Sequence, residues 1–294
     1  MKVYNPKDWF FAVSHITKSE HSKKIFPLLI LVSIFSYGIA YLELEYLKLS
    51  ESSWVKNVTI VHSLLGFVLS LILVFRTNTA YDRWWEARKQ WGTLTNVSRT
   101  FSIKINAFLP EDDKVNRSFF RKTIPLFAET LYQFLRADYT KFMLDEKAHP
   151  ELASLDSQKH VPNQVASMIF KKTNHLYEEG KITAEQFRLL NEEITSMTNV
   201  CGACERIKNT PIPIAYSSFI KIFIILYSIT LPIGYVFSIG YFVAAAVPFI
   251  FYVLLTIEMI GESIEEPFGT DTDDLPIDKL ASNIKKHSRE LISA

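Results

Sequence analysis

With 294 residues, the chain is long enough for one large domain or two small ones, and 48% of its residues are hydrophobic. A formal net charge of +1 gives no reason to expect a nucleic-acid partner, and two cysteines exclude a disulfide framework. Charged residues make up 21% of the chain but are absent from long stretches. This uneven distribution predicts a membrane part joined to a water-exposed part.

The first two uncharged stretches each have the length of a membrane-spanning helix. The run from 25 to 42 reads IFPLLILVSIFSYGIAYL, and the run from 57 to 75 reads NVTIVHSLLGFVLSLILVF. Neither stretch contains Asp, Glu, Lys or Arg. A helix that spans a membrane needs about 20 consecutive, predominantly apolar residues. We therefore predict two transmembrane helices here.

A third stretch, from Ile222 to Ile257, also lacks charge but is too long for one span. At 1.5 Å per residue, a single helix of roughly 36 residues would extend about 54 Å, well beyond the ~30 Å hydrocarbon core. Pro232, Gly234 and Gly240 offer places to break the run, so we predict a hairpin with its turn near 237–240. The sequence thus predicts an all-α integral membrane protein with four transmembrane helices and a cytoplasmic helical bundle.

Lysine and arginine near the ends of the spans indicate the orientation. They cluster before the first span, after the second and before the third, whereas the connection after the first span has only Lys48 and Lys56. Both termini are therefore predicted in the cytoplasm of a multi-pass cell-membrane protein surrounded by lipid. The predicted division is an N-terminal segment (1–24), the first two spans (25–76), a cytoplasmic helical region (77–213), the third and fourth spans (214–262) and a C-terminal segment (263–294).

The cytoplasmic region has apolar residues at helical spacing and no convincing alternation of period two. We predict helices over 81–108 and 119–142, the first of them ended by Pro110. Pro150 and Pro162 indicate a loop over 144–161. No β-sheet is expected.

A capping box begins a further helix in this region. Thr183 is followed three residues later by Gln186, and the helix should run to about Lys208. The C-terminal tail after Pro267 is acidic and then amphipathic, so we expect it to pack against the cytoplasmic helices.

The second span carries the most informative pattern. Phe67, Leu71 and Phe75 recur every four residues and therefore share one helical face. Around a symmetry axis they would form apolar rings about 6 Å apart, and such constrictions gate ions by dewetting. Spacing alone favours the alternative, an ordinary helix–helix or lipid-facing surface. The neighbouring side chains are mostly small and would let backbones approach closely: Ser63, Gly66, Ser70 and Val74.

Several ionisable groups lie near the spans. His62 is within the second span near its outer end, where either a functional or an interfacial role is open. Glu43 and Glu45 follow the first span on the outer side, where they would either draw cations to a channel mouth or simply be solvated.

Two further patterns suggest metal or redox chemistry. Cys201 and Cys204 form a C-x-x-C pair, but the βαβ context of thiol redox proteins and the second pair of a structural zinc site are missing. Asp271, Asp273 and Asp274 offer closely spaced carboxylates that suit calcium, although the spacing differs from an EF-hand. A packed helix and a solvated acidic turn are the alternatives. No nucleophile–base set or phosphate loop is present, so we expect no enzymatic activity.

Three ordered motifs make the chain resemble a bacterial member of the bestrophin family of ion channels. They are FRTNTAYDRWWEARKQWG (75–92), CERIKNTPIP (204–213) and EEPFGTDTDDLP (265–276). Together with the four-span layout they cover nearly the whole sequence. The positions of the first motif that match the family signature are Arg76, Asn78, Tyr81, Arg83, Glu86, Arg88, Trp91 and Gly92.

The resemblance implies a homopentameric channel for small monovalent ions, with the second span lining the pore. Phe67, Leu71 and Phe75 would match the family's apolar neck, and Ile182 its cytoplasmic constriction. The acidic cluster would match the calcium clasp of animal members only in part, because Thr270 and Thr272 interrupt it.

The resemblance leaves the sign of the permeant ion open. Animal members pass anions, whereas bacterial relatives are associated with cations. Glu43 and Glu45 slightly favour cations here. Two other hypotheses stay open from the residues: a transporter with its site at the break in the third stretch, and a membrane redox protein using Cys201 and Cys204.

Overall fold

The computed structural model describes residues 20–48, 54–136, 156 and 159–293. These residues form α-helices and short helical turns, and no strand occurs among them. The helices are α1 (Glu20–Tyr41), α2 (Val58–Phe108), α3 (Lys114–Arg136), α4 (Val161–Glu178), α5 (Ala184–Asn209), α6 (Ile214–Ile239), α7 (Val243–Glu265) and α8 (Ile277–Leu291). The all-α prediction is therefore confirmed for this part of the chain.

Two compact units share these helices. Of the described residues, those within 20–82 and 212–265 form what we call here the apolar unit, and those within 83–211 and 266–293 form the polar unit. Helix α2 contributes to both, because it continues without interruption where the sequence predicted a span and a separate cytoplasmic helix.

The apolar unit contains the helices that suit a membrane. Three helical stretches are long and apolar enough to cross one: Ile25–Tyr46, the beginning of Val58–Phe108, and Ile214–Glu265. The third consists of α6 and α7, which pack against each other. Between them Gly240 has φ +56°, a backbone conformation that side chains with a Cβ rarely adopt. The predicted turn at 237–240 is thus found at its last residue.

The core of the apolar unit is built around α6 and α7. Leu69 and Leu73 of α2 are almost completely buried in a cluster with Ile220, Ile224 and Phe251. These contacts hold one face of α2 against the hairpin. Both α6 and α7 are continuous, although each contains an internal proline.

Helix α8 contributes Ile277, Ala281 and Ile284 to a hydrophobic core of the polar unit. The C-terminal tail therefore packs against the polar unit's helices as predicted. The capping box at Thr183 is also confirmed, since its hydroxyl accepts from the Gln186 backbone and the Gln186 side chain accepts from the Thr183 backbone.

Two parts of this region differ from the sequence prediction. Helix α3 begins earlier than the predicted 119–142 helix, and the residues of that prediction beyond 136 lie outside the described part of the chain. Helix α4 was not predicted, because Pro162 was assigned to a loop. It occupies the first turn of α4, where its missing N–H removes no helical hydrogen bond.

Candidate pore-lining face and its surroundings

Helix α2 has two opposite faces within the apolar unit. Phe67, Leu71 and Phe75 are 65%, 43% and 63% exposed, whereas Leu69 and Leu73 are 0% and 3% exposed. At about 100° per residue the three exposed side chains span an arc of roughly 80°, and the buried face is centred about 180° away. The chain therefore presents this apolar face outward and does not use it for its own core.

Small hydroxyl side chains border the exposed face on one edge. Ser63 donates to the Thr59 carbonyl at 2.9 Å, and Ser70 donates to the Gly66 carbonyl at 2.8 Å. Their hydroxyl groups are thus satisfied by the helix itself. The edge remains narrow and needs no polar partner from outside. Val74 is exposed beside them.

Gly66 is turned toward the hairpin and away from this exposed edge. A Cβ at Gly66 would lie 2.7 Å from the hydroxyl oxygen of Tyr227 on α6. Glycine therefore lets α2 and α6 approach closely. The small residues around the predicted neck thus lie on two different surfaces of α2: Ser63 and Ser70 border the exposed face, and Gly66 faces α6.

His62 is also on the buried face, at 3% exposure. Its Nδ1 lies 3.0 Å from the Val58 carbonyl oxygen and its Nε2 lies 2.9 Å from the Thr230 hydroxyl oxygen. Because a carbonyl only accepts, Nδ1 carries the proton. His62 is therefore a contact between α2 and α6 and not part of the exposed face.

Arg76 is the most deeply buried charge of α2. Its side chain is 1% exposed, and its Nη2 donates to Glu265 Oε2 at 2.6 Å. Its Nε lies 3.7 Å from Oε1 of Glu258, which is completely buried. Within the described residues the Glu258 carboxylate has no hydrogen-bond donor, so Arg76 is the nearest compensating charge found for it. Sequence reasoning matched Arg76 to a motif but missed Glu258, which no local pattern connects to it.

The remaining signature residues have varied environments. Asn78 and Tyr81 are exposed in the apolar unit. In the polar unit, Arg83 donates to the carbonyls of Ile207, at 2.6 Å, and Thr210. These carbonyls lie at the C-terminal end of α5, where backbone acceptors lack helical donors and a positive charge is favourable.

The other matched positions of the motif belong to α2 within the polar unit. Trp91 is fully buried in the core. Glu86 accepts from Gln90 at 2.6 Å and pairs with Lys89 at 2.8 Å. A Cβ at Gly92 would lie 3.4 Å from Arg88 Nη1, so the guanidinium covers this glycine.

Glu43 and Glu45 differ in accessibility. Glu43 is 6% exposed, whereas Glu45 is exposed and accepts from the Tyr241 hydroxyl at 3.3 Å. Only Glu45 is therefore accessible to an approaching ion on the isolated chain.

Ile182 is 4% exposed and belongs to the core of the polar unit. A side chain that lines a passage between subunits should be exposed on a single chain. The burial of Ile182 gives no support to its role as a constriction, which stays a prediction.

The acidic residues after α7 have different environments. Asp274 is 3% exposed, and its Oδ2 accepts from the Asp271 backbone N–H at 2.5 Å. The side chain therefore folds back on its own loop, and its burial raises the pKa of the carboxyl group. Asp271 and Asp273 are exposed. Among the described residues these three carboxylates do not form a group with converging ligand atoms, and calcium binding stays a prediction.

Cys201 and Cys204 are buried free thiols in α5. Burial raises the pKa of Cys201 to about 12 and raises that of Cys204 further. A thiol reacts as its thiolate, so both groups are poor nucleophiles at neutral pH. This environment weakens the redox hypothesis, which stays untested.

Comparison with known proteins gives consistent matches along the chain. The family model for "Bacterial/Fungal Bestrophin protein" matches residues 2–290. A protein of Nostoc sp. named as a voltage-dependent anion channel-forming protein is 33% identical over 232 residues, covering 78% of this chain and 76% of that protein. A protein of Synechocystis sp. with the same name is 34% identical over 234 residues, covering 77% and 75%.

Solved structures match as well. A crystal structure of a bacterial bestrophin homologue from Klebsiella pneumoniae superimposes with a TM-score of 0.78 at 27% sequence identity. The match covers 94% of this chain and 100% of that chain.

Replacing Arg76 tests the buried pairing in the apolar unit. Arg76→Met leaves the Glu258 carboxylate buried without its countercharge, which costs about 3–5 kcal/mol. We expect a clear loss of thermal stability in detergent, and Arg76→Met/Glu258→Met should recover most of it. Lys221→Met is the matched control, because its pair with Glu262 is exposed and contributes about 1 kcal/mol or less. An Arg76→Met protein as stable as the parent would contradict the pairing.

Proposed function

Because this chain belongs to the bacterial/fungal bestrophin family, we propose that it is a subunit of a pentameric channel for small monovalent ions. The observation that carries the proposal is the outward-facing apolar surface of α2 formed by Phe67, Leu71 and Phe75. Helices α1, α2, α6 and α7 are the four proposed spans, with both termini in the cytoplasm.

Assembly of several subunits around an axis would bury the exposed apolar face of α2 in the centre of the oligomer. One edge of that face is lined by Ser63 and Ser70, whose hydroxyl groups are satisfied internally. Such an edge permits close packing of the neighbouring subunit's α2. The Phe67, Leu71 and Phe75 side chains then face the axis as three successive rings.

The number of subunits is open to direct measurement. Native mass spectrometry of the purified protein in detergent should give a species of five chains with no smaller stable assembly. A tetramer or a monomer at the concentrations that support ion flux would contradict the pentamer.

The rings would control conduction through hydration. Successive rings are about 6 Å apart along the helix axis, so three of them form an apolar passage about 12 Å long. Ions crossing it lose contact with water and gain no polar ligand in return. A passage of this kind closes by dewetting and opens when it widens slightly.

Truncating the rings tests this mechanism. Phe67→Ala/Leu71→Ala/Phe75→Ala should raise single-channel conductance or open probability severalfold in planar bilayers, because water fills the widened passage. The matched control, Phe219→Ala/Ile222→Ala/Leu226→Ala, removes comparable exposed apolar surface from α6 and should leave the current unchanged. Unchanged current in the first variant, or equal effects in both, would count against the neck.

Anions are the first candidate for the permeant ion. The Nostoc and Synechocystis relatives are named as anion channel-forming proteins. The burial of Glu43 also removes one of the two side chains that favoured cations. Cations are the second candidate, because Glu45 remains exposed.

Ion substitution separates these candidates. If anions pass, the reversal potential under a KCl gradient should move toward the chloride equilibrium potential. Replacing chloride by gluconate should then abolish the current, and replacing K⁺ by N-methylglucamine should preserve it. The opposite pair of results would assign the channel to cations.

The transporter hypothesis finds less support. It required an unwound segment within a span. The break in the third apolar stretch lies between α6 and α7, and both of these helices are continuous.

A further inference from the structure

A cluster of three potential metal ligands lies in the polar unit and involves no residue of α2. The ligand atoms of His160, Cys201 and Glu205 all lie within 4.8 Å of one another. Cys201 and Glu205 are four residues apart on α5 and so share one helical face. His160 is the N-cap residue of α4, which packs against α5.

The three side chains differ in how much of their surface is exposed to solvent. Cys201 is 1% exposed, whereas the His160 and Glu205 side chains are 25% and 28% exposed. The sulfur of Cys201 is therefore fixed by the surrounding core. The His160 imidazole and the Glu205 carboxylate lie at the surface, where a change of side-chain rotamer meets less steric resistance. An ion can also reach the cluster from the side of these two residues.

We propose that His160, Cys201 and Glu205 bind one divalent transition-metal ion of the zinc class. Thiolate, imidazole and carboxylate are the protein ligands of zinc. A site with sulfur and nitrogen ligands disfavours calcium and magnesium, which take oxygen ligands. Three protein ligands leave a fourth position for water.

The imidazole of His160 and the carboxylate of Glu205 lie within hydrogen-bonding distance of each other. His160 Nε2 lies 2.5 Å from Glu205 Oε1, and His160 Nδ1 accepts from the Asn163 backbone N–H at 3.2 Å. Because Nδ1 accepts, the proton is on Nε2 and is donated to the carboxylate. In a tetrahedral zinc site these two ligand atoms would be about 3.3 Å apart. A small movement of the two partly exposed side chains provides that separation.

Binding changes the protonation of two ligands. The metal replaces the Cys201 thiol proton, which is released to solvent. The His160 proton moves from Nε2 to Nδ1, so the hydrogen bond from Asn163 is lost as the metal–nitrogen bond forms. The ion then links the start of α4 directly to α5.

An ordinary hydrogen bond between His160 and Glu205 would account for the proximity of these two side chains without a metal ion. The buried sulfur of Cys201 beside that pair is the additional observation. The chain also provides controls. Cys204 is equally buried one turn further along α5 but is not part of the cluster. His175 pairs with Glu179 at 2.9 Å on the surface without a thiol.

Cobalt binding to the full-length, tag-free protein in detergent tests the site. Co²⁺ reports a thiolate ligand by a near-ultraviolet charge-transfer band and a tetrahedral geometry by intense visible bands. We expect one Co²⁺ per chain, displaced by Zn²⁺. Cys201→Ser should abolish the charge-transfer band. Glu205→Gln and His160→Asn should weaken Zn²⁺ binding by at least the ~10–100-fold that loss of an outer-shell partner costs.

The variants separate metal binding from folding. Asn at position 160 retains a side chain that caps α4, so that variant should keep its metal-free thermal midpoint. Cys204→Ser and His175→Ala should bind Co²⁺ like the parent. The proposal is overturned if the parent shows no charge-transfer band. It is also overturned if Cys201→Ser binds as well as the parent, or if Cys204→Ser removes the band.

Discussion

The proposed channel depends on one constraint, the orientation of α2 about its own helix axis. Arg76 is buried between two carboxylates of α7, and Leu69 and Leu73 lie on the same side of the helix in an apolar cluster. A guanidinium at this depth is costly to expose to lipid or to leave without a countercharge. The helix therefore cannot rotate without breaking this pairing. As a consequence, Phe67, Leu71 and Phe75 face outward.

Several hydroxyl groups of α2 in the apolar unit form hydrogen bonds within the helix itself. Ser63, Ser70 and Thr79 donate to carbonyls four residues earlier, so their hydroxyl groups need no external partner. His62 connects α2 to α6 through its two ring nitrogens. The exposed face formed by Phe67, Leu71 and Phe75 itself carries only hydrocarbon side chains, which offer no ligand to an ion. That property suits a barrier based on hydration, which does not itself select the sign of the charge.

Local patterns allowed much of the fold to be predicted. The charge-free stretches identified the long apolar helices, and Thr183 with Gln186 identified the start of α5, because both signals are local in the sequence. Helix α4 was missed because Pro162 has the same appearance in a first helical turn as in a loop. The pairing of Arg76 with Glu258 and the approach of His160 to Glu205 depend on residues far apart in the chain. The accessibility of single side chains also could not be predicted, since the sequence does not distinguish the buried Glu43 from the exposed Glu45.

Cysteine accessibility tests the central claim most directly. In a Cys201→Ser/Cys204→Ser background, cysteine would be placed singly at Phe67, Leu71 and Phe75, with buried Leu69 and exposed Ile222 as controls. A charged, membrane-impermeant methanethiosulfonate reagent should change the current at the first three positions and at neither control. Modification at Ile222 but at none of the three α2 positions would contradict the account.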